Sequence, residues 1–183
     1  MERHPPYRRI TRRGVDLDWR TWAAVLETEH RLRRRLVLAQ GSYNSGGVAA
    51  SAGTHDGGGA VDVSVAGLAD ADVLRTVRTM RRVGWAAWHR EAIAGLWPEH
   101  IHAVLLDHQT ASAGAKSQMA EYRLGGDGLV GALPDPMPYR PDPIPVFDYA
   151  AWQTRRILAH RIADLLGRVD NLRRRRSVLD VTH

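Results

Sequence analysis

The chain has 183 residues, 44% hydrophobic and 25% charged, which reads as a soluble globular protein of one ordinary domain plus an appendage. It has no cysteine, so disulfides, thiolate metal sites and cysteine nucleophiles are excluded, and any transition metal must be held by His, Asp or Glu. The net charge of +6 is carried almost wholly by arginine (Lys116 is the sole lysine), which suits nucleic acid or anionic wall polymers and is most simply the mark of a GC-rich genome.

The opening stretch, MERHPPYRRITRRG, is charged and lacks an apolar segment, so it is not a secretory signal. No window holds the roughly 18 apolar residues of a membrane helix. The expectation is cytoplasmic synthesis and no membrane association. Residues 1–13 read as a basic, Pro-containing arm. In the segment 14–36 that follows, Asp18 can cap a helix, and Trp22, Val25, Leu26, Glu29 and Leu32/Leu36 keep a helical period. LVLAQGSY then reads as a short strand, NSGGVAASAGTHDGGG as a loop, and AVDVSV as a second, alternating strand.

ADADVLRTVRTMRRVG has an amphipathic helical pattern, with Val73, Val77 and Met80 on one side and Gly84 as its stop. WAAWHRE and IAGLW carry no clean period and are read as a strand and a turn; Pro98 ends that segment. HIHAVLLD reads as a third strand, and SAGAKSQMAEYRLGGDGL as a short helix closed by glycines. Residues 134–145, PDPMPYRPDPIP, hold six prolines and form either a semi-rigid linker or a strap packed along the domain. Residues 148–183 read as one long helix in which Leu158, Ile162, Leu165, Val169 and Leu172 keep a heptad seam, which needs a partner. RRRR at 173–176 reads as a solvated helix end. No base-reading or aromatic motif accompanies it, which argues against nucleic acid as a partner.

The chemistry lies in two clusters. His55 and Asp62 flank a run of three glycines, and the glycines permit backbone conformations that fold His55 back toward Asp62. In the strand, Asp62 faces away from Val61 and Val63. In WPEHIHAV, His100 and His102 share a strand face while Ile101 turns to the core. Two His and one Asp with an open water position is a pattern of catalytic zinc, provided a neighbouring Glu or His serves as base. The bland alternative is a glycine loop beside an unrelated histidine strand. Trp85, Trp88 and Trp97 read as core, and His108 as a strand-end surface residue.

HDGGGAVD fits H-x-x-G-x-A-x-D, and with the later H-x-H it resembles the zinc DD-peptidase family: D-Ala-D-Ala carboxypeptidases, L-alanyl-D-glutamate endolysins and, by fold, the Hedgehog signalling domain. The resemblance covers roughly residues 37–106. It implies Zn2+ held by His55, Asp62 and His102, with Glu99 or His100 as the base. Relatives often carry Ser where Gly53 stands, and an oxyanion-stabilising Arg where Asn44 stands; Gln40 or Asn44 is left to donate there, without charge.

The expected fold is α+β, a small antiparallel sheet flanked by helices with a zinc cleft. That peptidase-like domain would span residues 14–133, followed by the proline-rich segment 134–147 and the C-terminal helix. The expected function is zinc-dependent hydrolysis of peptide bonds in peptidoglycan stem peptides, by a phage endolysin or virion-associated lysin acting on the cell wall after release or delivery. The competing reading is a non-catalytic zinc module that assembles, as a homo-oligomer or with a virion partner, through residues 148–183.

Overall fold

A computed structural model describes residues 2–46, 51–129, 131 and 133–180, with side chains of the last helix described to residue 171. Arg13 and Gly14 both take positive φ, 53° and 79°, as a two-residue hairpin turn requires. They join β1 (Arg9–Arg12) to β2 (Val15–Asp18), with Arg12 opposite Val15 and Arg9 opposite Asp18. Residues 9–13 of the stretch read as a basic arm therefore belong to a hairpin: charge masked a turn signal that lies in RRGV.

Asp18 ends β2 and caps α1 (Trp19–Leu32), its side chain accepting from Thr21 N at 2.8 Å. Trp22, Val25 and Leu32 form the buried stripe of α1. The next strand is shorter than its pattern: β3 covers only Leu38–Gln40. β4 (Ala60–Ser64), α2 (Asp70–Val83) and its stop at Gly84 (φ 116°) follow. WAAWHR forms a full strand, β5 (Trp85–Arg90), and β6 is His100–Leu105. α3 (Ala113–Leu124) is capped by Ser112 and closed by Gly125. α4 spans Tyr149–Asp180.

The main sheet runs β3-β4-β6-β5, every neighbouring pair antiparallel, so the fold is α+β as expected. Alternation divides its residues between two faces. Val61, Val63, Ile101, Ala103, Trp85 and Ala87 share one, where Trp85 Nε1 donates to Thr28 of α1 at 3.2 Å. On the other, Ala60, Ala86 and Val104 pack with Ala115, Met119 and Tyr122 of α3. This helix roofs only one end of that face. The Asp62–His102 end stays open, and the site lies there.

The proline-rich segment is a strap, not a free linker. Arg81 of α2, with its side chain fully buried, donates to the carbonyls of Met137 and Tyr139 and pairs with the Asp135 carboxylate. A Cβ at Gly84 would lie 2.7 Å from Phe147 N, so the end of the strap sits directly on the helix stop. Residues 5–147 form one compact unit, and residues 1–4 with 148–183 form a second. Within the second, Tyr149 Oη donates to His4 O at 2.9 Å. Leu158, Ile162, Leu165, Leu166 and Val169 of α4 are exposed; the Leu172 position of the seam and the RRRR run lie outside the described side chains. Among the described residues, no helix is long and apolar enough to cross a membrane.

Candidate metal centre

The register of the sheet builds most of the site. Gln40 on β3 lies opposite Asp62 on β4, Asp62 opposite His102 on β6, and His102 opposite Trp88 on β5. Directly opposed residues share a face, so these four form one row across the sheet. Ser64, His100 and Arg90 form the next row on the same face.

His55 comes from the loop, and several contacts hold it over this face. Its main-chain oxygen accepts from Asn44 N at 2.9 Å, and Gly57 O accepts from Tyr43 N at 3.0 Å. The glycines that follow have a different role from the expected one. Of Gly57, Gly58 and Gly59, only Gly59 takes positive φ, 88°. The other two are required by contact: a Cβ at Gly57 would lie 2.4 Å from Ser112 N and Thr110 O, and one at Gly58 2.6 Å from both Asp18 Oδ2 and His108 Cε1. Behind the loop, His108 and Asp18 form a fully buried pair at 3.0 Å, and Tyr43 Oη donates to the same carboxylate at 2.8 Å. His108 is thus a packed structural residue rather than a surface one. Burial works to raise the Asp18 pKa, but the pairing with His108 and the hydrogen bonds from Thr21 and Tyr43 bring it below the usual carboxylate value.

Three ligand atoms converge: His55 Nε2 lies 3.3 Å from Asp62 Oδ1 and 3.4 Å from His102 Nδ1, and the last two lie 2.8 Å apart. The far side of each imidazole fixes its tautomer. His55 Nδ1 faces the Gly41 carbonyl at 2.7 Å and must donate to it. His102 Nε2 donates to Gln118 Oε1 at 2.8 Å, since the Gln118 amide nitrogen is itself engaged in donating to Gly128 O at 2.9 Å. So, whenever both imidazoles carry a single proton, they and the carboxylate aim lone pairs at one point. One proton can relieve only part of that repulsion; a cation relieves all of it. Ligands of a tetrahedral ion at about 2.0–2.1 Å lie about 3.3 Å apart, which these separations approach. His55, Asp62 and His102 therefore form a buried group that could hold a metal ion. With the ion absent, burial would depress His55, but the Asp62 carboxylate outweighs it and raises its pKa.

The cleft is also lined by Gln40, Ser51, Arg90, Trp97, His100 and Gln118. His100 Nδ1 donates to Pro98 O at 2.7 Å, which leaves Nε2 as the free lone pair, 3.8 Å from Asp62 Oδ1. Burial lowers its pKa.

The structure brings His55, Asp62, His102, His100 and Gln40 together. It does not bring in Glu99 or Asn44. Glu99, one residue out of phase with His100, has its carboxylate 2.7 Å from His89 Nε2, away from the cleft. The chain does bend at Glu99, just before β6 begins at His100, but the bend does not carry its side chain into the cleft. Asn44 lies beside a different hollow, near Gly14 and Asp16, because the chain turns at Tyr43 (φ 58°). Gln40 Nε2 donates to Ser51 Oγ at 3.4 Å. Trp97, read as core, lines the cleft.

Two site residues escaped the sequence reading. Gln118 lies in a helix with no motif around it, and Arg90 could be placed only once β5 was paired with β6. Comparison with known proteins found no matching family model, curated protein or solved structure.

Proposed function

We propose that the chain is a zinc-dependent hydrolase of peptide bonds in peptidoglycan stem peptides. The observation that carries the reading is the convergence of His55, Asp62 and His102 in an open cleft, with the unshared electron pair of His100 beside them. Two nitrogens and one oxygen 2.8–3.4 Å apart, with each imidazole oriented by a carbonyl acceptor on its far side, suit zinc. When bound, zinc activates water and polarises a carbonyl. The protein's own groups supply the rest. His100 Nε2 takes the proton of the attacking water and returns it to the leaving nitrogen. Its Nδ1–H, held by Pro98 O, keeps that nitrogen facing the cleft. Gln40 and the walls of the cleft orient the peptide. The choice of peptidoglycan as substrate comes from the resemblance of HDGGGAVD and HIH to zinc DD-peptidases.

The test is release of new amino groups from purified cell walls, with fragments identified by mass spectrometry. A chelator and His55→Ala should each abolish release. His100→Gln should lower kcat about 10²–10⁴-fold while zinc content stays at wild-type level. Stoichiometric zinc with no wall bond cut would sink the enzyme reading and leave the non-catalytic assembly module.

A further inference from the structure

Arg90 is the feature of the cleft that the proposed chemistry leaves unused. It closes β5, lies directly opposite His100, and is 8% exposed. Among the described residues it makes one hydrogen bond, Nη2 to Asp127 O at 2.7 Å, and no ion pair. The Asp127 carboxylate accepts from Leu129 N at 3.0 Å and acts on Arg90 only through space, with no hydrogen bond or close ion pair between them. Arg90 therefore differs from Arg81, the other deeply buried arginine, which is neutralised by Asp135. The Arg90 guanidinium carbon lies 5.3 Å from the centre of the Trp88 ring, yet a buried cation with a single carbonyl as its hydrogen-bond acceptor is still costly to the free protein. Its fork of five donors suits a carboxylate. Arg90 also lines both the metal cleft and an adjoining groove whose walls include Trp88, Ile93, Trp97 and Met137 with the acidic residues Glu91, Asp127 and Asp135, so Arg90 is the guanidinium at which a substrate carboxylate would be held. A peptide passing from one hollow to the other would cross it.

We infer that Arg90 binds a free carboxylate of the peptide substrate, one sheet row away from the metal ligands. This makes the substrate class an acidic peptide, and it rests on the reading that the cleft accepts a peptide. The carboxylate is either the C-terminal one or that of an acidic side chain.

The experiment measures binding, so it does not depend on turnover. Three forms of a stem pentapeptide are titrated calorimetrically into full-length protein: free acid, C-terminal amide and side-chain amide. Metal-free protein is used so that the peptide is not cut, and each titration is repeated with zinc on His100→Gln. The free acid should bind about tenfold or more tightly than one of the two amides, and that amide identifies the carboxylate. Arg90→Gln should reduce this acid-to-amide ratio to near one, and Arg90→Lys should restore part of it. A merely structural role would weaken acid and amide alike and leave the ratio intact. Equal binding of all three peptides by wild type, or an unchanged ratio in Arg90→Gln, overturns the inference. Selective binding without wall cleavage would instead overturn the enzyme reading alone.

Discussion

Gln118 fixes which nitrogen His102 presents. Its amide is itself held by Gly128, so the carbonyl end must face the imidazole. Gln118→Leu should weaken zinc binding about 10–100-fold, read by competition with a chromophoric chelator; unchanged affinity would remove the orienting role. Asp18 gives a second prediction at this scale. Its carboxyl titrates lower in the fold than its unfolded value of about 3.9. Its contribution is therefore fully present above that value and is lost as pH falls through the folded pKa. Asp18→Asn should flatten the acid side of the stability profile, with urea midpoints measured from pH 5 down to pH 2.5. An equally steep loss in the variant would show that the pairing with His108 contributes nothing. The residues legible in the sequence, His55, Asp62 and His102, sit in two short local patterns. Glu99 and His100 could not be ranked without knowing where β6 starts, because parity shifts by a whole face with one residue.

Elements with strong periodicity were readable: α1, α2 and α3 lie where their apolar spacing and caps predict. β1 and β2 were not: each is only four residues long, and RITR and VDLD hold too few apolar residues for alternation to mark a strand. The triple glycine was recognised as a turn for a partly wrong reason. Gly58 leaves room for the buried Asp18–His108 pair, and that pair is invisible in a sequence where its partners are 90 positions apart. α4 keeps Leu158, Ile162, Leu165 and Val169 exposed at heptad spacing, which is the geometry that meets a like helix in a second copy. Full-length protein should sediment as an oligomer and a chain lacking residues 148–183 as a monomer. The same mass per protomer set in both would refute self-association through this helix.

At the scale of the whole molecule, the strap is integral to the 5–147 unit. Arg81 and Asp135, 0% and 2% exposed at their side chains, face each other without water between their charges. Asp135→Ala would strand a buried guanidinium and should cost about 3–5 kcal/mol, measured by chemical denaturation. A loss below about 1 kcal/mol would mean that the strap is held by its backbone contacts alone. Proline content suggested this segment without deciding between linker and strap, since the deciding partner, Arg81, reads in sequence as one more solvent-facing arginine of α2. The practical consequence concerns where the gene can be cut. A fragment ended at the composition boundary near residue 133 would delete Asp135 together with the Met137 and Tyr139 carbonyls that Arg81 needs, and would leave Gly84 without the chain that lies against it. A minimal expressible domain must run through Phe147.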